Sequence, residues 1–211
     1  MGRISKKGSI GSISGTVNDV VLSEWNNIPV VRSRPKRTNK PATNGQQVQQ
    51  GKMATAVKFA TAVKKVFAVG FQDFAVKMSG YNAGTRDLLF NGITGESPNY
   101  SINYKLVFVS RGRLHTEANA TARAAPGQVT FTWTYEVAEN VAADDKALLV
   151  VYCEALGACL FTLKGPDRST GTASISVARF KGYEVQTWLA FISPDGANTS
   201  PSVYTGAVTI S

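Results

Sequence analysis

Apolar positions first recur at the spacing of strands. Two short apolar runs, at 17–25 and 28–33, flank Asn26-Asn27. Asparagine tolerates positive φ better than most non-glycine residues, so the pair predicts a two-residue hairpin turn. Val20, Leu22 and Val30 alternate with polar positions, as a half-buried hairpin requires. The preceding GRISKKGSIGSISG alternates only weakly and reads as an extended arm or a frayed edge strand. Two strands alone are marginal, so the hairpin needs the following helix or another subunit to cover it.

Past Pro41 the period lengthens to that of a helix. Thr43 followed by Gln46 fits a capping box, in which each side chain satisfies a backbone donor that the helix start leaves open. Met53, Val57, Ala60, Val63 and Phe67 then follow at three- and four-residue spacing and form one apolar stripe, as core or as a subunit interface. Gly70 breaks or bends this helix. A shorter helical pattern covers 79–93, with Tyr81, Leu88 and Leu89 on its buried face and Gly80, Gly84 and Gly92 weakening it.

From Tyr100 the period falls to two. Strands are predicted at 102–110, 128–135, 147–153, 158–163, 172–177, 184–192 and 202–210, with Gly, Pro, Asn and Asp between them. Such near-regular spacing is the pattern of an antiparallel sandwich. Trp133 suits a core position on an early strand. Trp188 and Phe191 point to opposite faces of one strand, so only one of them is expected to be central. The chain is therefore read as an α+β module of hairpin and amphipathic helices over 1–99, followed by an all-β sandwich over 100–211.

Charge sharpens that division. The formal net charge is +9, but residues 1–105 carry a net +10 and residues 106–211 a net −1. Arg32, Arg34, Lys36, Arg37 and Lys40 crowd a segment that Pro35 and Pro41 hold extended. Such an elbow can neutralise phosphates without reading sequence. It lacks aromatic residues for stacking single strands, and Trp25 is the one near candidate. It can equally dock on an acidic neighbouring subunit, or keep a sheet edge from pairing wrongly.

Little catalytic chemistry is on offer. The single histidine, His115, reads as a loop residue, and two cysteines with one histidine cannot supply four ligands to structural zinc. Cys153 and Cys159 frame EALGA and would oppose each other across a hairpin turning at 155–157, where a disulfide is geometrically possible if the pair is non-hydrogen-bonded with close Cβ atoms. The alternative, favoured for a cytoplasmic protein, is two reduced, half-buried thiols. Asp144-Asp145 reads as a turn before a strand, and the glycine-rich start lacks the Gly-Lys-Ser/Thr end of a phosphate loop. No cofactor, metal or small-molecule ligand is expected. No apolar run approaches the roughly 18 residues of a membrane-spanning helix, and the N-terminus lacks the apolar core of a secretory signal, so synthesis in a cytoplasm is expected.

Two resemblances add to this reading. On VTFTWTY and YEVQTWLAFISPDGANTSPSVYTGAVTI, the second half resembles a fibronectin type III or immunoglobulin-like domain, which implies a fold and no task. On GSISGTV, W-x-x-x-P-V-V-R-S at 25–33, P-x-T-x-x-Q at 41–46, YNA at 81–83, PNYSINY at 98–104, LVFVSRG at 106–112 and DKALLVVY at 145–152, the whole chain resembles the domain-of-unknown-function family numbered 6266, seen in Bacteroidetes genomes and their phages. That resemblance implies no established activity, and it implies a virion or injection-apparatus component. The expectation is a non-enzymatic structural subunit that self-associates or joins other virion subunits, anchored through Trp25, Arg32, Arg34, Lys36 and Arg37. The alternatives are a sequence-independent nucleic-acid-binding protein, and an adhesion or carbohydrate-contacting module using loops such as 194–200.

Overall fold

The capping box forms as expected in a computed structural model that describes residues 2–3, 14–25, 28–36, 40–116 and 119–211. The Gln46 N–H donates to Thr43 Oγ1 (3.4 Å) and the Thr43 N–H to Gln46 Oε1 (3.0 Å). Two helices follow, α1 (Asn44–Ala62) and α2 (Lys64–Gly70), with a break at Val63. Their buried face runs through Ala56, Phe59, Ala60, Val63, Val66 and Phe67. The predicted stripe is therefore correct from Ala60 onward and displaced before it, because Met53 and Val57 are 44% and 36% exposed. The small Ala56 and the large Phe59 set the face instead.

A third helix, α3 (Gly80–Asp87), starts at Ser79, whose Oγ accepts from the Asn82 N–H (3.2 Å). A π-helical turn continues it over Leu88–Gly92. The glycines that weaken this helix in isolation let it approach its neighbour. A Cβ on Gly80 would lie 2.6 Å from the Ala68 carbonyl oxygen, and one on Gly84 would lie 2.6 Å from the Phe67 ring.

The chain is mixed α and β, with several antiparallel sheets and these three helices. In chain order the strands are β1 (Gly2–Arg3), β2 (Gly15–Val17), β3 (Val20–Trp25), β4 (Ile28–Ser33), β5 (Ile93–Glu96), β6 (Asn99–Ile102), β7 (Thr121–Ala125), β8 (Gln128–Thr132), β9 (Lys146–Cys153), β10 (Ala158–Thr162), β11 (Thr172–Ser176), β12 (Glu184–Ile192) and β13 (Val203–Thr209). The first four form a sheet of order β1-β4-β3-β2, β5 and β6 form a hairpin, and the rest form sheets of order β10-β9-β12-β13 and β11-β8-β7.

Strands β9 and β12 organise the larger part. Leu148, Val150, Tyr152, Trp188 and Ala190 join the helices in one core. The alternate residues Leu149, Val151, Cys153, Leu189 and Phe191 join β8 and β11 in a second core. Trp188 and Phe191 are consequently both fully buried, one in each core, rather than one alone being central. Phe59 seals the first core, with its ring 4.8 Å from that of Tyr152 and 5.9 Å from that of Trp188.

Two expectations need correction. The segment 102–110 forms no ladder beyond Ile102. It turns through a 3-10 helix at Tyr104–Leu106 and is held by side chains, with Trp188 Nε1 donating to the Val107 carbonyl (3.0 Å) and Ser202 Oγ accepting from the Val109 N–H (2.9 Å). The division of the chain also differs. Its compact units are Met1–Ala42 and Thr43–Ser211, and within the second the helices share a core with the sheets.

Removing the Phe59 ring uncovers both Tyr152 and Trp188. Phe59→Ala is expected to destabilise the chain by about 3–5 kcal/mol, the range for a fully buried phenylalanine, read as a lowered urea midpoint with unchanged slope.

Candidate functional site

The N-terminal unit is a thin sheet with a charged end. Strands β2 and β3 join through Asn18-Asp19, with Val17 facing Val20 in register and Asn18 at φ 52°. The predicted hairpin is present, since β3 pairs β4 from Val20↔Ser33 to Trp25↔Ile28. Asn26 and Asn27, expected to make its turn, lie outside the described residues, as do Arg37 and most of the N-terminal arm. Among the described side chains of this unit only Val30 is buried, while Val17 and Val20 are 63% and 40% exposed.

The elbow is brought together in part. Arg32, Arg34 and Lys36 line one open concavity of about 990 Å³ with Thr16, Asp19 and Val21. The Arg34 N–H donates to the Asp19 carbonyl (2.7 Å), which fixes where the elbow leaves the sheet. Lys40 is exposed. No ion pair within the chain neutralises Arg32, Arg34 or Lys36 among the described residues. The unit carries 8 Lys/Arg against 2 Asp/Glu, so most of the chain's excess positive charge belongs to its first 42 residues. Of the other candidates, Met53 and Val57 are exposed on α1 and Phe67 is core.

The remaining polar candidates are structural. His115 is exposed, and its carbonyl accepts from Arg168 Nη2 (2.9 Å). Asp145, read as part of a turn, is fully buried against Arg168 (3.2 Å), whose guanidinium also lies 4.3 Å from the Phe191 ring centre. The cysteines miss the predicted opposition by one residue. Cys153 faces Ala158 and Cys159 faces Tyr152, so the two thiols project to opposite sides of the sheet and both are free. Burial pushes the Cys159 thiol up to about 12. The loop at 194–200 is tied down, with Gln72 Nε2 donating to the Gly196 and Ala197 carbonyls (2.6 and 2.8 Å). The Ser193 hydroxyl and the Ala197 N–H hold the Asp195 carboxyl below the usual carboxylate range. Among the described residues no cluster of three or more His, Cys, Asp or Glu is placed to hold a metal, and no helix is long and apolar enough to cross a membrane.

One groove escaped the sequence reading. Tyr100, Tyr104, Tyr152 and Glu154 line it opposite Val57 and Lys58 of α1, with a volume of about 630 Å³. Its sequence signal was the tyrosine pair in PNYSINY. The family model described as a family of unknown function, DUF6266, matches residues 12–206. No curated protein matches the chain. A solved structure described as "Myokine structure" is similar at 13% identity and a TM-score of 0.37, covering 46% of this chain and 98% of that one. A likeness that loose carries no argument.

The tyrosines of the groove give it a measurable signature. Burial first, then the nearby Glu154 charge, pushes the Tyr152 hydroxyl up to about 12 and holds that of Tyr104 far above the tyrosine range. Both hydroxyls stay neutral in the folded chain where the unfolded chain ionises near pH 10. Their contribution to stability is whole below pH 10 and is lost as pH rises through about 12. Urea midpoints are expected to fall across that window, and Tyr152→Phe is expected to flatten the fall.

Proposed function

The chain belongs to the DUF6266 family, a family of unknown function, and on that premise we propose that it is a non-enzymatic structural subunit of a larger assembly, a phage or phage-like particle. In this reading residues 1–42 attach the subunit to a neighbour. The strands from β7 onward form an immunoglobulin-like, fibronectin III-like sandwich to which the helices add a third layer. The strand orders support that description. Lettered in chain order, β11-β8-β7 follows the E-B-A sheet of a fibronectin III module, and β10-β9-β12-β13 follows C′-C-F-G. The phage-like setting is supported by the family resemblance alone.

The observation that carries the assembly reading is the bare N-terminal sheet. A four-stranded sheet with one buried described side chain and exposed valines has no core of its own. Sheets this size gain stability from a covering layer. A neighbouring subunit supplies one, and short β1 and β2, the outer strands of the sheet among the described residues, invite strand addition.

A second reading is favoured by one observation, the gathering of Arg32, Arg34 and Lys36 around one concavity. These cations suit sequence-independent contact with nucleic acid phosphates.

Size-exclusion chromatography with light scattering separates the two, on nuclease-treated protein at low and high salt. A defined oligomer free of nucleic acid at both salts, smaller when residues 1–42 are deleted, is expected. A monomer at every concentration sinks the assembly reading. If instead a monomer keeps nucleic acid at low salt, Arg34→Ala with Lys36→Ala should reduce the salt slope of binding by about 2, one for each phosphate that is no longer neutralised.

A further inference from the structure

In the second unit a pocket edged by exposed aromatic side chains and a loop carrying an exposed valine are both left open, with opposite charges around them. Phe74, Met78 and Phe90 are 52%, 37% and 78% exposed and line one pocket of about 250 Å³ with Arg86, Asp87 and Arg111. Contiguous exposed aromatic, methionine and arginine side chains are the make-up of a protein interface. Phe90 sits on the π-helical turn that ends α3, and such turns recur at functional sites. Arg86 has no ion-pair partner among the described residues and lies 5.9 Å from the Phe90 ring centre. Asp87 is nine-tenths buried. Its Oδ1 accepts from Arg111 (2.5 Å) and Asn91 (3.1 Å), while its Oδ2 is buried with no hydrogen-bond partner. The pocket therefore presents the exposed Phe74, Met78 and Phe90 side chains beside the Arg86 cation, unpaired among the described residues, above a buried carboxylate.

The complement lies on the same unit. Between β8 and β9 the chain runs through Glu136, Val137 and Ala138 outside any helix or strand, and Val137 is 85% exposed. Glu136 and Glu139 flank it, exposed and without an ion-pair partner among the described residues. The N–H groups of Glu136, Val137 and Ala138 donate to nothing among the described residues. An apolar side chain and two carboxylates answer the exposed rings and the Arg86 cation in turn.

We infer that the Phe74–Phe90 pocket of one copy takes the Val137 loop of a second copy, with Arg86 and Arg111 facing Glu136 and Glu139. Both partners of the contact are exposed within the chain, so the loop does not fill its own copy's pocket. The contact is heterologous, joining unlike surfaces head to tail, and it propagates into a ring or a filament. This deepens the structural-subunit reading and rests on it.

The test mixes two full-length variants, Phe90→Cys in one and Val137→Cys in the other, under mild oxidation. Both positions are surface, so the fold is undisturbed, and a 90–137 bond in the mixture can only join two chains. Mass spectrometry is expected to find that cross-link in preference to 90–90 and 137–137. Arg86→Glu on the first variant should slow it about tenfold or more, as charge complementarity governs encounter, and Glu139→Lys on the second should restore much of the rate. If the wild-type chain assembles but the 90–137 cross-link is absent or indifferent to these charges, this contact is wrong and assembly proceeds through other surfaces. If the wild-type chain is a monomer throughout, the contact falls together with the assembly reading.

Discussion

Everything in the larger unit depends on β9 and β12 having no face toward water. A strand with one wet face alternates apolar and polar residues, whereas one covered on both faces needs apolar side chains throughout. Lys146–Cys153 meets that demand with seven buried residues in succession, and Glu184–Ile192 buries eight, of which the polar Gln186 and Thr187 have hydrogen-bonded side chains. Each therefore contributes to two cores at once, one under the helices and one under the sheet β11-β8-β7. The helices are consequently not an appendage. Phe59 packs on both Trp188 and Tyr152, and Phe67 backs Phe59, so the helices supply part of the cover over two large rings whose burial is a large apolar gain.

The buried charges serve a different end. Removing Arg168 and Asp145 from water is costly, and their attraction alone seldom repays it. Here the pair also closes a corner. Asp145 accepts from the Ala142 N–H (3.1 Å), Arg168 donates to the His115 carbonyl, and the Arg168 carbonyl accepts from Trp133 Nε1 (2.7 Å). These bonds hold both ends of the segment between β8 and β9, so Val137 is carried on a loop whose roots are rigid. A contact surface pinned at its base loses less conformational freedom on binding than a free one.

The sequence was most legible where a local rule decides the outcome. The capping box at Thr43 needs only its own two side chains, and Glu184–Ile192 is apolar enough to read as a strand in any context. It was least legible where tertiary partners decide. Met53 and Val57 fit the helical spacing as well as Ala56 and Phe59 do, and only the position of Tyr152 and Trp188 chooses between the two faces. Strand β7 went unseen because Thr-Ala-Arg-Ala-Ala has no large apolar residue, although Pro126-Gly127 just after it marks a tight turn into β8. Leu106 to Val109 carried the opposite error. Its apolar residues suggested a strand, but its backbone is satisfied by Trp188 and Ser202 side chains. In the candidate site, the density of positive charge at the elbow was plain, whereas the concavity that gathers Arg32, Arg34 and Lys36 requires the β2–β3 turn at Asn18-Asp19, hidden inside what reads as one apolar run.

The distribution of exposure separates two kinds of surface that composition alone would merge. Among its described side chains the N-terminal sheet buries only Val30, and almost any covering layer would stabilise so small a sheet. Phe74, Met78 and Phe90 are bare beside a complete two-sided core, so stability of the fold gives no reason for their exposure. An apolar cluster kept at the surface of an otherwise well-buried unit raises the hazard of unspecific association. Arg86 at its rim restricts what can enter, since a wrong partner would leave that cation desolvated without an anion. Selectivity of this kind comes from the penalty on mismatched partners as much as from contacts to the right one. The first surface therefore suits attachment, and the second suits discrimination.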